Sequence, residues 1–312
     1  MQNSKNFVLI GVGGYVAPRH LKAIYDTNNN LDAAYDINDS VGVLDKYFMK
    51  TKFFNRFELL DRYLYKLLSK EGKRIDYISI CSPNWLHDYH IRFALRNGAN
   101  AICEKPLVIN PWNLDFLEKI EKETGKSIYC IHQLRLHPSI IELKKKIETT
   151  QPDRKYDVVL TYITPRGPWY YRSWKGDESK SGGIAMNIGI HFFDMLLWIF
   201  GSVVKSEVYL SKKKKMSGFL ELEKANIRWF LSTDNKDLPT KNHSTYRSIK
   251  IDNKEFEFSK GFTNLHTEVY RKILNGEGLR IKDVRPSVEL IYKIRNSNIE
   301  KNIKSPHPFL KV

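Results

Sequence analysis

The sequence predicts an α/β protein of two domains, and two contrasting patterns along its 312 residues carry this prediction. Over residues 1–135, short apolar runs alternate with helical patterns, which is typical of a parallel sheet with helices on both faces. Over residues 136–312, apolar runs mostly follow one another across short polar turns, which favours an open, largely antiparallel sheet. We therefore predict an α/β domain followed by an α+β domain.

Hydrophobic periodicity locates the individual elements. In the first domain the predicted strands are 7–10, 31–35, 77–81, 101–103 and 127–131, and the predicted helices are 17–28, 56–70, 87–96 and 113–124. In the second domain the predicted helices are 140–147, 183–200, 264–274 and 286–296, and the predicted strands are 157–164, 206–210, 219–223, 226–232, 246–251 and 255–258.

A glycine turn, Gly-Val-Gly-Gly over 11–14, follows the first predicted strand and precedes a helix. Glycine there lets the chain turn tightly and lets its backbone approach a pyrophosphate, which the amino end of the helix attracts. Asp36 ends the second predicted strand, where a carboxylate binds ribose hydroxyls and disfavours a 2′-phosphate. The pattern predicts a Rossmann domain that binds NAD, although Val16 or Ala17 stands where a third glycine is usual.

Three further segments lie at the carboxyl ends of strands or in the second domain. They are Cys-Ser-Pro-Asn-Trp-Leu-His over 81–87, Glu-Lys-Pro-Leu over 104–107, and the stretch 182–191 that ends in Asn-Ile-Gly-Ile-His. With the glycine turn, this ordered set resembles the glucose-fructose oxidoreductase/inositol dehydrogenase (Gfo/Idh/MocA) family. The resemblance implies that Lys105 and His191 flank the sugar carbon that is oxidised. It also implies a cis peptide before Pro106.

Longer segments resemble one branch of that family. They cover residues 13–24, 81–108, 133–138, 161–183 and 187–201. This branch oxidises the 3-hydroxyl of UDP-N-acetyl-2-amino-2-deoxy-D-glucuronate to a 3-keto sugar, in the biosynthesis of diacetylated diaminouronic acid for surface polysaccharide such as O-antigen lipopolysaccharide. The resemblance implies NAD as cofactor, 2-oxoglutarate as an acceptor that reoxidises it in place, and a homotetramer.

The matched motifs supply the candidate site residues. The cofactor-binding candidates are Gly11, Gly13, Gly14, Tyr15, Val16, Asp36, Ser82, Pro83, Asn84, His87, Glu104, Lys105 and Gln133. The substrate-binding candidates are Lys105, Arg135, Arg166, Trp169, Tyr170, Trp174, Lys175, Asn187 and His191. Weaker candidates for the cleft are His137, Asn264 and His266. Many family members carry Asp where Asn187 stands, and Asn cannot take a proton, although it can hydrogen-bond a sugar hydroxyl.

Oxidation by hydride transfer needs a base for the hydroxyl proton, and such a base contributes about 10²–10⁴-fold to the rate. Lys105 qualifies if burial or nearby positive charge lowers its pKa, whereas His191 titrates near neutral pH without such help. We expect both to line the site and Lys105 to contact the reacting hydroxyl. The sequence leaves open which of them removes the proton.

The segment 166–175 is dense in cations and aromatic residues. Arginine pairs bidentately with phosphate and carboxylate groups, and aromatic faces pack on sugar or uracil rings, so the segment suits a UDP-sugar acid. The same composition is typical of a loop at a subunit contact, and this alternative stays open.

Composition excludes several classes of protein. The net charge of +16 suggests an anionic partner, but the densest run, 212–215, lies between predicted strands and indicates a hydrated turn rather than a nucleic-acid patch. Three cysteines without paired short spacing, Cys81, Cys103 and Cys130, favour buried free thiols over disulfides or a metal site.

The first residues, MQNSKN, carry no apolar secretion segment, and the longest nearly apolar run, 195–204, is shorter than the roughly 20 residues of a membrane span. We expect a cytoplasmic protein without membrane or nucleic-acid partners. Two alternative functions remain: another sugar or inositol dehydrogenase of the same family, and a non-catalytic NAD(H)-binding sensor.

Overall fold

The computed structural model describes residues 4–149, 154–240, 244–258 and 263–311. The chain divides into two compact units, the first formed by residues 1–133 and 263–285 and the second by residues 134–262 and 286–312. The strands are β1 (Asn6–Ile10), β2 (Asn30–Tyr35), β3 (Lys52–Phe54), β4 (Tyr77–Ile80), β5 (Asn100–Cys103), β6 (Ile128–Cys130), β7 (Tyr156–Ile163), β8 (Val203–Lys212), β9 (Lys215–Leu222), β10 (Ala225–Ser232), β11 (Tyr246–Ile251) and β12 (Lys254–Glu255). The α-helices are α1 (Ala17–Asp26), α2 (Phe57–Glu71), α3 (His87–Arg96), α4 (Trp112–Thr124), α5 (Pro138–Glu148), α6 (Pro168–Arg172), α7 (Glu178–Ser181), α8 (Ile190–Phe200), α9 (Leu265–Leu274) and α10 (Ile281–Asn296).

The first unit contains a six-stranded parallel sheet in the order β3-β2-β1-β4-β5-β6. This is the order of a doubly wound nucleotide-binding fold, so the predicted Rossmann domain is confirmed. The register aligns the last residues of four strands, which brings the residues that follow them side by side at one edge. Those residues are Gly11, Asp36, Cys81 and Glu104.

Strand β3 is absent from the sequence prediction. It has three residues, Lys-Phe-Phe, and pairs only with β2 at the edge of the sheet. A segment this short shows no alternation of polar and apolar residues, because that pattern needs four or more residues to emerge.

The segment 263–285 returns to the first unit, whereas the sequence prediction assigns it to the second domain. Helix α9 packs on α1, and its Tyr270 ring stacks on Phe7 with centroids 6.0 Å apart. The N–H of Cys130 also donates to Leu279 O at 3.0 Å. These contacts join residues more than a hundred positions apart, so the local pattern of the sequence does not reveal them.

The second unit contains a six-stranded sheet in the order β12-β11-β7-β10-β9-β8. Only β7 and β10 pair in parallel and the other neighbours are antiparallel, which confirms the predicted, largely antiparallel sheet. Helix α8 contributes to its core through Phe193, whose ring meets that of the fully buried Trp229 edge-on at 5.4 Å.

Several element boundaries differ from the prediction, among them those of two helices and one strand. Helix α10 begins at Ile281 rather than at Pro286, because the Asp283 carboxylate accepts the Arg280 N–H at 2.8 Å and caps the helix start. The predicted helix 183–200 is interrupted, since Gly182 and Gly183 have positive φ and a π-helical turn precedes α8. The predicted strand 255–258 shortens to β12.

The helical stretch Glu178–Phe200 is long and apolar enough, by length and composition, to cross a membrane. However, 72% of its most apolar window is buried within the protein, as in the core helix of a soluble protein. Cys81, Cys103 and Cys130 are buried thiols, as predicted. The lysine run 212–215 forms the turn between β8 and β9, which also agrees with the prediction.

Candidate functional site

The glycine turn directly follows β1 and is held against the neighbouring strands. Gly11 donates its N–H to Tyr35 O at 2.7 Å, and Gly14 donates to Gly11 O at 3.1 Å. Gly11 has a φ of +86°, and a Cβ on it would lie 2.6 Å from the backbone carbon of Cys81. Only glycine fits here, because the left-handed backbone and this close approach both exclude a side chain.

Asp36 follows β2 and closes onto the glycine turn. Its Oδ2 accepts the Gly13 N–H at 2.9 Å, and its Oδ1 accepts the Asn38 N–H at 2.9 Å. A carboxylate at the end of the second strand, beside the glycine turn, is the group that binds adenosine ribose in NAD-binding Rossmann folds. The position of Asp36 therefore suits its predicted role.

Helix α1 starts directly after the turn. Pro18 lies in its first turn, which carries no acidic residue, so its N–H groups and positive dipole end suit a phosphate. Tyr15 and Val16 immediately precede the helix. Tyr15 is 88% exposed, with the Arg19 guanidinium 5.3 Å from its ring centre.

The loop after β4 is packed rather than open, since Ser82, Asn84 and His87 are all buried. His87 Nδ1 lies 2.7 Å from Pro106 O, and Nε2 lies 2.8 Å from Ser82 O. Burial lowers the pKa of His87, although its contacts with the two carbonyl groups oppose this shift. Through these two contacts the ring connects the loop that follows β4 with the loop that follows β5.

Glu104, Lys105 and Pro106 follow β5, and the peptide between Lys105 and Pro106 is cis, as predicted. Glu104 Oε1 lies 2.9 Å from His20 Nε2 and 3.1 Å from His266 Nε2, and Oε2 accepts the Lys105 N–H at 3.3 Å. Burial by itself would raise the pKa of Glu104, but hydrogen bonds from the two histidines hold that pKa well below its usual range. The carboxylate predicted to contact the cofactor is therefore bound by donors of the protein itself.

Gln133 is the last residue of the first of the two chain segments that form the first unit. Its side-chain oxygen is enclosed and has no hydrogen-bond partner among the residues that the structure describes. A buried acceptor without a donor costs about 1–3 kcal/mol, and a bound group with an N–H would satisfy it. This acceptor and the glycine cradle both fit a dinucleotide that carries a carboxamide. Gln133, Lys105, Asp36 and the glycine turn are the residues that would hold it.

In the second unit, Asn187 and His191 lie at the start of the long apolar helix. A π-helical turn spans Ala185–Gly189, and α8 follows it. Gly189 permits close packing, since a Cβ on it would lie 2.7 Å from Leu231 Cδ1. Turns of this kind occur frequently at functional sites. This one carries Asn187, and the half-buried His191 follows within two residues.

Asn187 Nδ2 donates to the Tyr170 hydroxyl at 2.7 Å. The Tyr170 side chain is buried, and burial raises its pKa while the bond from Asn187 opposes that shift. Two predicted substrate residues are thus in contact. Because the ring of Tyr170 is buried, it supports Asn187 rather than offering a face to a ligand.

The loop that surrounds α6 combines cations and indole rings. Lys175 Nζ lies 4.5 Å from the ring centre of Trp174 and 5.7 Å from that of Trp169, which is 59% exposed. Burial, followed by the neighbouring Arg166, lowers the pKa of Lys175. An anionic ligand would offset both effects, so the loop has the chemistry to bind a phosphate or carboxylate group.

Arg135 and His137 have structural positions that the sequence did not indicate. Arg135 makes a bidentate ion pair with the buried Asp194, at 2.9 Å for Nε–Oδ2 and 2.7 Å for the second N–O contact. His137 is buried beside Phe258, with ring centroids 6.1 Å apart. Both side chains thus contribute to the interior of the second unit, and their roles at a substrate stay predictions.

The structure thus groups the predicted residues unit by unit. The glycine turn, Asp36, the loops after β4 and β5, and Gln133 lie in the first unit. The aromatic loop, Asn187 and His191 lie in the second. His266 belongs to the first unit, as does Asn264, which has a φ of +63° immediately before α9.

Sequence reasoning missed the partners of Glu104 and Arg135. They are His20 for Glu104 and Asp194 for Arg135; Tyr270, bonded to His20, and Ser79, bonded to Tyr270, were missed as well. His20 lies within the Pro-Arg-His sequence of α1, but nothing in the chain links it to a histidine and a tyrosine some 250 residues further on.

Two family models match the chain. Residues 5–132 match the oxidoreductase family with an NAD-binding Rossmann fold, and residues 154–246 match the C-terminal α/β domain of the same oxidoreductase family.

Solved structures match over nearly the whole chain. The WlbA (WbpB) dehydrogenase from Thermus thermophilus, crystallised with NAD and alpha-ketoglutarate, is 46% identical with a TM-score of 0.94, and the match covers 98% of this chain and all of that one. The same enzyme crystallised with NAD and UDP-GlcNAcA is 45% identical with a TM-score of 0.93, at the same coverage.

Curated relatives are more distant. D-glucoside 3-dehydrogenase of Escherichia coli is 25% identical over 126 residues, which are 40% of this chain and 36% of that enzyme. Glucose-6-phosphate 3-dehydrogenase of Bacillus subtilis is 25% identical over 203 residues, which are 64% of this chain and 54% of that enzyme.

These matches confirm the predicted NAD-dependent oxidoreductase and its cofactor. The parallel sheet with its glycine cradle, the mixed second sheet and the two matched domain models agree with one another. The chain belongs to the Gfo/Idh/MocA family of oxidoreductases.

Proposed function

We propose that this protein uses NAD⁺ to oxidise the 3-hydroxyl of UDP-N-acetyl-2-amino-2-deoxy-D-glucuronate to the 3-keto sugar. The observation that carries this proposal is the full-length match, at 45% identity, to a dehydrogenase crystallised with NAD and UDP-GlcNAcA. The motifs that match the family are intact, from the glycine turn through Glu-Lys-Pro to the histidine that begins the long helix.

Lys105 and His191 are the two groups proposed to act on the reacting hydroxyl. NAD⁺, when bound, supplies the hydride acceptor. Lys105 contacts the hydroxyl, and either Lys105 or His191 accepts its proton as the carbon is oxidised. Asn187, whose amide is oriented by Tyr170, hydrogen-bonds a neighbouring sugar hydroxyl.

The aromatic loop is proposed to bind the anionic parts of the substrate. A UDP-sugar acid carries a diphosphate and a carboxylate, which match Arg166 and Lys175 in charge. Trp169 and Trp174 offer apolar faces for a sugar or uracil ring. The lowered pKa of Lys175 supports this assignment, because a bound anion restores the stability of its charged form.

The reoxidation of the cofactor, the oligomeric state and the biosynthetic role are proposed on the same basis. The Thermus thermophilus relative was crystallised with alpha-ketoglutarate as well as NAD, which supports 2-oxoglutarate as the acceptor that reoxidises the cofactor in place. We further propose a cytoplasmic homotetramer that acts in the biosynthesis of surface polysaccharide.

The test adds UDP-N-acetylglucosaminuronate to purified protein that is shown to contain NAD⁺, and follows absorbance at the reduced-nicotinamide band. We expect substrate-dependent reduction, a 3-keto product by NMR, and return of the absorbance to baseline when 2-oxoglutarate is added. Free glucose and myo-inositol serve as comparison substrates. If either of them reduces the cofactor and the UDP-uronate does not, another sugar dehydrogenase activity replaces the proposed one.

A further inference from the structure

Behind the Glu-Lys-Pro segment, the first unit contains a buried polar network that the proposed chemistry does not use directly. It joins Ser79 on β4, Tyr270 and His266 on α9, His20 on α1, and Glu104 after β5. The links are Ser79 Oγ to Tyr270 OH at 2.7 Å, Tyr270 OH to His20 Nδ1 at 2.7 Å, and His20 Nε2 to Glu104 Oε1 at 2.9 Å. His266 completes the network, because its Nε2 lies 3.1 Å from the same oxygen, Glu104 Oε1.

The ionised carboxylate fixes every proton in this network. Because Glu104 only accepts hydrogen bonds, His20 and His266 must each donate from Nε2. Burial keeps His20 neutral, since it lowers the pKa of that ring, so Nδ1 carries a lone pair and accepts from the Tyr270 hydroxyl. Tyr270 in turn accepts from Ser79. These hydrogen bonds therefore run in one direction, from the Ser79 hydroxyl through Tyr270 and His20 to the Glu104 carboxylate.

The network faces the segment that carries Lys105. Glu104 Oε2 accepts the backbone N–H of Lys105, so the carboxylate that the histidines hold also holds the lysine backbone. The groups around Glu104 are His20 and, next to it, Arg19 on α1, Tyr270 and His266 on α9, and the buried thiols Cys81 and Cys103. His20 lies in the first turn of α1, the helix whose amino end suits the pyrophosphate.

We propose that His20 and His266 are positioning residues for Lys105, which they fix in place through the Glu104 carboxylate. This inference rests on the proposed function, in which Lys105 contacts the reacting hydroxyl. The network also connects the segment that carries Lys105 to α1. The Lys105 amine and the cofactor-binding helix therefore keep fixed positions relative to each other within the first unit. Misplacing a reacting group by about 1 Å can cost about 100-fold in rate.

The test compares two substitutions at His266 in the full-length enzyme with NAD⁺. His266→Gln keeps a donor at the position of Nε2, whereas His266→Leu removes it. We expect His266→Leu to lower kcat by about 10- to 100-fold. The KM for UDP-N-acetylglucosaminuronate and the affinity for NAD⁺ should change less than about threefold, because His266 is buried and hydrogen-bonded to Glu104. His266→Gln should recover most of the lost kcat.

His307→Leu serves as the control, because His307 is also a buried histidine, lies in the second unit and is hydrogen-bonded to Thr161. The rate at which an amine-specific reagent labels Lys105, measured against pH by mass spectrometry, gives a readout that needs no turnover. We expect its midpoint pH to shift in His266→Leu and to stay unchanged in His266→Gln and His307→Leu.

Three results would overturn the inference: an unchanged kcat in His266→Leu, an equal loss of kcat in His307→Leu, or stabilisation of the wild-type protein by added Zn²⁺, which would make the cluster a metal site. If the wild-type protein does not oxidise the UDP-uronate, the proposed function fails by itself. The labelling midpoints of the two His266 variants then still decide whether the network positions Lys105.

Discussion

The two units hold their candidate site residues in different ways. In the first unit Glu104 and Asp36 are buried and satisfied by other groups of that unit, Glu104 by His20 and His266 and Asp36 by Gly13. In the second unit the cations and indoles of the loop around α6 are only partly enclosed, and Trp169 is 59% exposed.

This difference indicates a division of labour between the units. Groups whose hydrogen bonds are already complete keep their geometry before any ligand arrives, which suits a lysine that must meet one hydroxyl. Partly exposed cationic and aromatic side chains gain their partners only when a ligand binds, which suits recognition of a long anionic substrate. The candidate residues of the first unit are therefore preformed, whereas those of the second unit gain their partners from a ligand.

The strongest test of this comparison is Lys105→Met. We expect kcat to fall by about 10²–10⁴-fold, because the amine that contacts the reacting hydroxyl is lost. The affinity for NAD⁺, measured by fluorescence titration, should fall far less than kcat, because Asp36 and the glycine cradle stay in place. A matching loss of NAD⁺ affinity would contradict the preformed first unit.

A second test asks whether a buried ion pair also stabilises the interior of the second unit. Asp194→Asn leaves the Arg135 guanidinium without its buried anion, and we expect the free energy of unfolding in urea to fall by about 3–5 kcal/mol. The control is Glu123→Gln in the exposed pair of Lys119 and Glu123, 3.9 Å apart, which should change stability by about 0.5 kcal/mol or less. Equal effects of the two substitutions would refute the structural role of Arg135.

Acid should weaken both units, because each contains a buried histidine. Burial lowers the pKa of His90 in the first unit and of His307 in the second to about 3. In the unfolded chain these rings bind protons below about pH 6.5, so between pH 6.5 and 3 the unfolded state holds more protons and stability falls as pH falls.

Each histidine should contribute up to roughly 1.4 kcal/mol per pH unit in that window. Thermal unfolding between pH 7 and 5 measures the slope of stability against pH. Substituting either histidine by Gln should make this slope shallower. The idea fails if both variants keep the wild-type dependence on pH.

The smallest expected effect concerns the open loop. Trp169→Ala should weaken binding of the UDP-sugar about three- to tenfold, since one exposed aromatic face contributes about 1 kcal/mol. NAD⁺ binding and the rate of a single turnover at saturating substrate should not change. An altered rate at saturation would place Trp169 in the preformed part of the site rather than in the adaptable one.

The sequence by itself determined the class of fold, the cofactor and the order of the motifs. Gly11, Asp36 and the Glu-Lys-Pro segment signal their roles through short-range patterns, because strand, turn and helix each leave a local signature. The parallel first sheet with helices on both faces and the largely antiparallel second sheet were predicted from these patterns and agree with the structure.

Only the tertiary structure decided which of the polar residues are partners. Arg135 faces Asp194, 59 positions away, and His266 faces Glu104, 162 positions away. Helix α9 joins the first unit although it follows the whole second sheet along the chain. The physical reason is that burial and hydrogen bonding depend on what packs against a side chain. That neighbour is brought by the fold rather than by the adjacent sequence.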